Sequence, residues 1–272
     1  MDELHCKEAA LKDWLRQTGG CAVAFSGGVD STYLVHVAHE VLGNRVLAIS
    51  ATSAAFPERE LAEAKAFCAD LGVEQVVVAS NELEVPGYSD NPPNRCYLCK
   101  HALFGELWAQ ARARGFEVLA DGSNTDDAGD YRPGLKALVE MQVASPLRAA
   151  GLSKADIRAL SQERGLPTWS KPSFACLASR IPYGETITVA KLTMIDAAEQ
   201  YLLDEGFTQV RVRMHGTLAR IELLPDELGR AAAEPLRTQI GERLRGLGFS
   251  YVALDLDGYR SGSLNRDLTS SR

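Results

Sequence analysis

Short apolar runs alternate with helical patterns through the first half of this sequence, and this alternation restricts its fold more than any other feature. Four of the runs are bounded by turn residues, as buried strands of a parallel sheet are: Cys21–Phe25, Arg45–Ile49, Gln75–Ala79 and Phe116–Ala120. Helical patterns fill the gaps between them: Ser31–Leu42, Pro57–Leu71 and Cys99–Arg114. This repeated order predicts an α/β fold with a doubly wound, mostly parallel sheet. A strand at Val143–Leu147 and a helix at Ser153–Arg164 extend it.

The second half of the sequence has a different pattern. The segment Leu166–Gly184 contains three prolines and predicts a long functional loop or linker. After it come a helix, two alternating strands, a second helix and a last strand: Val189–Leu203, Thr208–Met214, Leu218–Leu223, Asp226–Leu247 and Tyr251–Leu256. We therefore expect a nucleotide-type α/β domain over 1–170, a loop over 171–184 and a smaller α+β domain over 185–272.

Charge and composition narrow the classes of function. The 272 residues carry a formal net charge of −7, which argues against broad binding to nucleic acid through phosphate contacts. No run of 18 apolar residues and no signal-peptide pattern occurs, so we expect a cytoplasmic protein that is not membrane-bound. In that reducing compartment the six cysteines are better suited to be ligands, nucleophiles or redox groups than a disulfide framework.

The string Ser26-Gly-Gly-Val-Asp-Ser31 lies between the first predicted strand and its helix. Gly27 and Gly28 free backbone N–H groups to approach an anion, and the helix N-terminus adds partial positive charge. The hydroxyls of Ser26 and Ser31 can donate to phosphate oxygens, while Asp30 can hold Mg²⁺ against them. A tight strand-to-helix turn with a capping serine is the purely structural alternative. The string matches neither the P-loop pattern nor the dinucleotide pattern.

This string resembles the pyrophosphate-binding loop of the ATP pyrophosphatases, which include GMP, asparagine and NAD synthetases and tRNA thiolases. The stretches Asp121–Asp127 and Asp130–Lys136 are similar to their second nucleotide loop. The resemblance implies an adenine nucleotide α-hydrolase-like fold that uses ATP with Mg²⁺, forms an adenylate and releases pyrophosphate. It also implies ATP-binding roles for Ser26, Gly27, Gly28, Asp30, Ser31, Gly122 and Arg132.

Further stretches make nearly the whole chain similar to the LarE family of sulfur transferases in nickel-pincer cofactor synthesis: Tyr131–Ala137, Ala178–Gly184, Val210–Arg213 and Asp255–Ser261. That resemblance implies that a carboxylate of pyridinium-3,5-biscarboxylic acid mononucleotide is adenylylated and converted to a thiocarboxylate. It also implies a homo-oligomer, a hexamer in this family, and a sulfide or sulfur donor as partner.

Two arginines, Arg211 and Arg213, lie two apart on a predicted strand, so they share one face and can clamp a phosphate. The resemblance implies that they hold the substrate phosphate together with Ser179 and Arg180. The alternative is a solvated amphipathic strand with Glu222 as an ion-pair partner. The resemblance also matches Glu199 and Glu222 to acidic positions near the sulfur-transfer site, where they can bind metal, although each is equally compatible with a surface carboxylate.

Two cysteines in Arg95-Cys-Tyr-Leu-Cys-Lys100 stand at an expected loop-to-helix junction, where both thiolates can reach one metal. Cys176, in the long loop, matches the cysteine that some members of the resembling family, expected to lack the pair, use as a sacrificial sulfur donor. With Cys96 and Cys99 it can hold a [4Fe-4S] cluster by three irons and leave the fourth open for a transferable sulfide. A redox dithiol and a zinc site are the alternatives for the pair. Cys6, Cys21 and Cys68 are expected to be structural.

Two other functions fit the loop. A tRNA thiolase needs a basic RNA-binding surface, which the acidic composition does not favour. A non-catalytic sensor would bind ATP and use its cysteines to report redox state. Turnover of ATP to AMP that depends on a carboxylated pyridinium nucleotide separates these functions from the sulfur transferase.

Overall fold

The computed structural model describes residues 2–129 and 133–260, so Arg132 of the expected nucleotide loop lies outside the described residues. The chain divides into two compact units. Unit 1 comprises Met1–Val85 and Asn94–Phe174, and unit 2 comprises Pro86–Pro93 and Ala175–Arg272. The sequence patterns contained no sign that the short segment Pro86–Pro93 belongs with the second unit.

Unit 1 contains the predicted parallel sheet. Its four strands are β1 (Cys21–Ala24), β2 (Val46–Thr52), β3 (Glu74–Ala79) and β4 (Leu119–Ala120). They lie in the order β3-β2-β1-β4, and every pairing is parallel. The first strand, β1, thus lies inside the sheet, with β2 and β3 added on one side and β4 on the other. This order confirms the predicted α/β fold class.

Helices cover both faces of this sheet. They are α1 (Glu3–Thr18), α2 (Val29–Leu42), α3 (Glu58–Leu71), α4 (Arg95–Ala113), α5 (Pro133–Glu140), α6 (Pro146–Ala149) and α7 (Lys154–Glu163). Cys21 and Val23 of β1 pack into a core with α2 and α7, whereas Ala22, between them, packs into a core with α4. Alternate residues of a strand point to opposite faces, so one short apolar run supplies both cores.

Unit 2 has its own mixed sheet of three strands: β5 (Arg211–His215), β6 (Leu218–Glu222) and β7 (Tyr251–Leu254). Strands β5 and β6 are antiparallel, and β6 and β7 are parallel. In the part of unit 2 that the structure describes, three α-helices accompany the sheet: α8 (Val189–Asp204), α9 (Leu228–Ala232) and α10 (Leu236–Gly246). This is the smaller α+β unit expected from the sequence.

Two predicted elements were wrong. The expected helix Asp226–Leu247 is interrupted between α9 and α10, where Pro235 takes the N-cap position of α10 because proline cannot donate to a preceding turn. The expected strand Val143–Leu147 is a single bridge between Ala144 and Ala120, since α6 begins at Pro146. Within the described part of the chain, no helix is long and apolar enough to cross a membrane.

Candidate functional site

The Ser-Gly-Gly-Val-Asp-Ser loop connects β1 directly to α2. Gly28 is the N-cap of α2 in extended conformation, and no side chain caps the helix. The first-turn N–H groups of α2 therefore face the loop without a capping side chain, which favours an anion site over a serine-capped turn. Gly27 has φ +71°, and a Cβ there would lie 3.2 Å from Cβ of Ala64. Both the left-handed conformation and the close approach to α3 require glycine.

Two hydroxyls converge over this loop. The Oγ atoms of Ser26 and Ser31 lie 3.1 Å apart, and the backbone N–H of Ser26 donates to Oγ of Ser31 at 3.3 Å. Oγ of Ser31 also donates to the carbonyl of Gly28 at 3.3 Å. These bonds are at the long end of the normal range, so a phosphate oxygen can replace them at little cost.

A second loop, Asp121–Asn124, packs against the first. A Cβ on Gly122 would lie 3.0 Å from the backbone N of Ser31 and 3.3 Å from Cβ of Asp30. The carboxylate of Asp121 holds this loop in place by accepting hydrogen bonds from Ser123 and, at 2.7 Å, from Ser145. Gly122 therefore lets the two expected nucleotide loops meet backbone to backbone.

Asp30 meets the chemical requirement for a Mg²⁺ ligand. Its Oδ2 accepts a 2.6 Å hydrogen bond from Nζ of Lys154, and its Oδ1 is buried without a hydrogen-bond partner among the described residues. Burial raises the pKa of Asp30, while the ammonium of Lys154 opposes that shift. A cation beside Oδ1 would satisfy the unpartnered oxygen and favour the ionised carboxylate, so the site fits Mg²⁺.

The Cys-x-x-Cys pair lies at the start of α4, which begins at Arg95 directly after two prolines and Asn94, so both cysteines belong to the helix and the loop ends just before them. Cys96 is exposed and Cys99 is half-buried. Three residues apart on a helix, the two side chains lie on one face. Gly134 of α5 packs closely here, with an added Cβ 3.4 Å from the carbonyl oxygen of Cys96. The pair is thus a partly accessible dithiol at the start of a helix.

Cys176 is half-buried at the N-cap of a 3₁₀ turn, Leu177–Arg180, in unit 2. The Arg180 guanidinium donates to the carbonyls of Ala175 and Cys176 at 2.7 and 3.2 Å and to Oγ of Ser179 at 2.8 Å. Arg180 thereby fixes the backbone on which Cys176 stands. Within residues 2–129 and 133–260, no three His, Cys, Asp or Glu side chains are grouped so that they could hold a metal ion.

Arg180 itself is completely buried, which was not expected for a ligand of substrate phosphate. Its Nε and Nη2 atoms donate to the two oxygens of Glu199 at 2.8 and 3.0 Å. Glu199 also accepts from the backbone N–H of Val212 on β5. The pair therefore ties the Cys176 loop, α8 and β5 together, and this geometry gives Arg180 a positioning role.

A second buried pair lies beside the first. Arg213 donates to both oxygens of Glu222 at 3.0 and 3.1 Å and to the carbonyl of Ser179 at 2.7 Å. Arg220 also contacts Glu222, at 3.3 Å, and Asp255, at 2.7 Å. Glu222 is therefore an ion-pair partner of Arg213, as the alternative of an amphipathic strand expected. The strand is not solvated, however, since Arg213 is only 7% exposed.

The cluster formed by these pairs has an excess of positive charge. Among the described residues it contains four guanidiniums and three carboxylates: Arg180, Arg211, Arg213 and Arg220, with Glu199, Glu222 and Asp255. Burial, and then the neighbouring charge of Arg180, lower the pKa of Arg211 to about 10. The Arg211 guanidinium also lies 5.2 Å from the ring centre of Tyr259. A bound anion would relieve the repulsion among these cations. Glu199 and Glu222 are both buried and paired with arginines, so neither is the surface carboxylate that was the alternative to a metal ligand.

Sequence reasoning missed three residues that support these sites. Lys154 and Lys171 place ammonium groups on Asp30 and on the carbonyl of Gly27, across 124 and 144 residues of sequence. Asn91 has φ +54° and is fully buried, and its amide donates to the carbonyls of Ile181 and Pro182 after the Cys176 turn. No local sequence pattern marks such contacts, since each depends on the tertiary fold.

The string Ser26-Gly-Gly-Val-Asp-Ser31 forms an uncapped loop between the first strand and its helix, on a parallel sheet ordered β3-β2-β1-β4, and this arrangement agrees with the class of PP-loop ATP pyrophosphatases. The model of the Asparagine synthase family matches residues 8–90, which contain this loop. One component of the glutamine-hydrolyzing GMP synthase of Thermoplasma volcanium is 29% identical over 60% of the chain and 57% of its own length.

Two relatives match nearly the whole chain. An uncharacterized protein of Synechocystis sp. is 43% identical over 98% of the chain and 99% of its own length. Pyridinium-3,5-bisthiocarboxylic acid mononucleotide synthase of Lactiplantibacillus plantarum is 39% identical over 97% of the chain and 94% of its own length. The chain therefore belongs to the family of this synthase, the LarE family.

Proposed function

We propose that this protein is an ATP-dependent sulfur transferase. It adenylylates a carboxylate of pyridinium-3,5-biscarboxylic acid mononucleotide and converts it to a thiocarboxylate, a step of nickel-pincer cofactor synthesis. The observation that carries the proposal is 39% identity to the Lactiplantibacillus plantarum synthase over 94% of its length. The uncapped pyrophosphate loop at the start of α2 supports the use of ATP.

In the first half-reaction a carboxylate oxygen of the substrate attacks the α-phosphorus of ATP, the bond to the β-phosphate oxygen breaks, and pyrophosphate leaves. Negative charge grows on the leaving pyrophosphate. The N–H groups of Gly28 and the α2 first turn, with the hydroxyls of Ser26 and Ser31, would stabilise it. Bound Mg²⁺, which Asp30 would hold, supplies further charge neutralisation. These N–H and hydroxyl groups together form a cradle for pyrophosphate. Gly122 lets the second loop, Asp121–Asn124, pack against this cradle, and the adenine nucleotide would lie beside the two loops.

The arginine cluster of unit 2 would hold the phosphate of the mononucleotide. Burial, and then the charge of Arg180, lower the pKa of Arg211 to about 10. A phosphate bound next to Arg211 would offset that repulsion. It would leave the ion pairs of Arg180 and Arg213 intact. Arg213 and Ser179, joined by a 2.7 Å hydrogen bond, would line the same site. Arg180 would act through the backbone that it holds.

In the second half-reaction a sulfur nucleophile attacks the acyl carbon, AMP leaves, and the carboxylate oxygen is replaced by sulfur. We propose that Cys96, Cys99 and Cys176 hold a [4Fe-4S] cluster that, when bound, supplies a replaceable sulfide. The accessible dithiol at the start of α4 fits two of the three ligands. Glu199 and Glu222, each engaged by arginines, would keep their positioning role rather than bind metal.

The test uses protein purified without oxygen and supplied with ATP, Mg²⁺, the biscarboxylate mononucleotide and sulfide. We expect AMP, pyrophosphate and a thiocarboxylated product, with more than one product per chain. Product limited to one per chain, with loss of H₂S from Cys176 by mass spectrometry, would instead identify Cys176 as a sacrificial donor. ATP turnover that requires tRNA, or no turnover with any acceptor, would contradict the proposed function.

A further inference from the structure

Lys171 holds the pyrophosphate loop from outside the cradle. Its Nζ donates to the carbonyl of Gly27 at 3.3 Å and lies 2.8 Å from Glu60 and 2.5 Å from Glu63 of α3. The Lys171 side chain is 16% exposed. Burial tends to lower its pKa, but the hydrogen bonds to the two glutamates outweigh burial and raise the pKa above its usual value. The Lys171 ammonium is therefore charged and has three acceptors: the Gly27 carbonyl and the carboxylates of Glu60 and Glu63.

The carbonyl that Lys171 contacts belongs to the peptide that joins Gly27 and Gly28. This peptide is planar and trans, so its carbonyl and its N–H point in opposite directions. Fixing the Gly27 carbonyl toward α3 therefore fixes the Gly28 N–H toward the other side of the loop. That N–H makes only a 3.4 Å contact with Oγ of Ser26, which leaves it available to a stronger acceptor.

A peptide between two glycines rotates more easily than any other, because neither residue has a Cβ to restrict it. Without a partner for the Gly27 carbonyl, the peptide plane can turn and remove one N–H from the cradle. Lys171 is well placed to prevent this because its own backbone is anchored. Arg158 of α7 donates to the carbonyls of Trp169 and Lys171 at 2.6 and 2.7 Å.

We propose that Lys171 is a positioning residue that orients the Gly28 N–H toward the leaving pyrophosphate of ATP. The inference rests on the proposed use of ATP and adds a residue outside the loop motif. Lys171 does not contact phosphate in this arrangement, since its three hydrogens already have Gly27, Glu60 and Glu63 as acceptors. Its effect is on the geometry of the cradle.

The experiment measures the Kd of Mg²⁺ with an ATP analogue whose α,β bridge cannot be cleaved. Lys171→Met should weaken binding about tenfold, the scale of one hydrogen bond to a charged group. Lys171→Arg, which keeps charged donors, should recover most of the loss. Lys65→Met removes an exposed charge from α3, the helix that carries Glu60 and Glu63, and this variant should bind like the wild type.

A double variant separates positioning from simple charge balance. Lys171→Met leaves Glu60, whose side chain is 12% exposed, beside Glu63 without a cation. Lys171→Met with Glu60→Gln removes that unbalanced charge but leaves the Gly27 carbonyl without its donor. We expect the double variant to unfold at the wild-type temperature and still bind the analogue about tenfold more weakly.

Two results would overturn the inference: wild-type affinity in folded Lys171→Met, or wild-type affinity restored in the double variant. Failure of the proposed function has a different signature. In that case wild-type protein binds the analogue but forms no AMP with the pyridinium mononucleotide, while the dependence of binding on Lys171 remains.

Discussion

Gly122 illustrates how one absent Cβ shapes the nucleotide site. Because an added methyl group would lie 3.0 Å from the backbone N of Ser31, Gly122→Ala must push the two loops apart. We expect a loss of stability of about 1–3 kcal/mol, as for other overpacked sites, together with weaker ATP binding. Urea denaturation and calorimetric titration measure the two effects.

The matched control for this change is Gly246→Ala in α10, where an added Cβ meets nothing within 4 Å. Gly246 is the last residue of α10, and alanine has a higher helix propensity than glycine, so the control should keep or slightly raise stability. A stable Gly122→Ala variant with wild-type ATP affinity would show that the two loops do not need this contact.

Asp30 and Lys154 should set the acid limit of ATP use. Burial raises the pKa of Asp30, and the positive charge of Lys154 limits that rise. Because Mg²⁺ binds the ionised carboxylate, affinity for Mg²⁺ and ATP should fall as pH drops through the pKa of Asp30. Lys154→Met removes the opposing charge, so the acid limb of a KM profile for ATP should move to higher pH. Lys65→Met is the control, and an unmoved or lowered acid limb would contradict this role.

At the scale of elements, the proposed cluster depends on the two cysteines at the start of α4. Cys96→Ser and Cys99→Ser should each abolish iron binding and multiple turnover, because a cluster that loses one of three protein ligands is not retained. Iron and sulfide content, with product formed per chain, measure both effects. Cys6→Ser removes another exposed cysteine, from α1, and should change neither. A Cys96→Ser protein that transfers many sulfurs per chain would disprove the cluster.

The elements that were predictable from sequence are those whose signal is local. The parallel strands were found because each contains a short apolar run, although in β3 only Val78 is buried, and α7 was found because Ser153 caps it. The breaks at Pro146 and Pro235 were missed, although proline itself was the available signal.

The candidate site was predictable only where residues are adjacent in sequence. The pyrophosphate loop is one continuous string, so its residues could be named. Lys171 reaches Gly27 across 144 residues, and no pattern connects them. Arg180 was expected to face substrate because of the resemblance to the LarE family, yet it is fully buried, and its paired carboxylate makes that burial tolerable.

At the scale of the whole molecule, unit 2 depends on its buried ion pairs. Arg180→Met leaves Glu199, which is 1% exposed, without its partner, so unfolding free energy should fall by about 3–5 kcal/mol. Adding Glu199→Gln should recover part of this loss, since the stranded charge is removed. Urea denaturation checks both variants. Arg237→Met, which breaks an exposed pair with Glu234, is the control and should unfold like the wild type. A similarly small effect of Arg180→Met would contradict a structural role for the pair.

The central claim is that ATP is consumed to place sulfur on a carboxylated pyridinium mononucleotide. The most direct measurement incubates the protein, without oxygen, with ATP, Mg²⁺ and sulfide, and counts AMP and thiocarboxylated product per chain with and without pyridinium-3,5-biscarboxylic acid mononucleotide. We expect AMP to form only when the mononucleotide is present, and thiocarboxylate to accompany it. Equal AMP formation without the mononucleotide, or AMP without any thiocarboxylate, would contradict it.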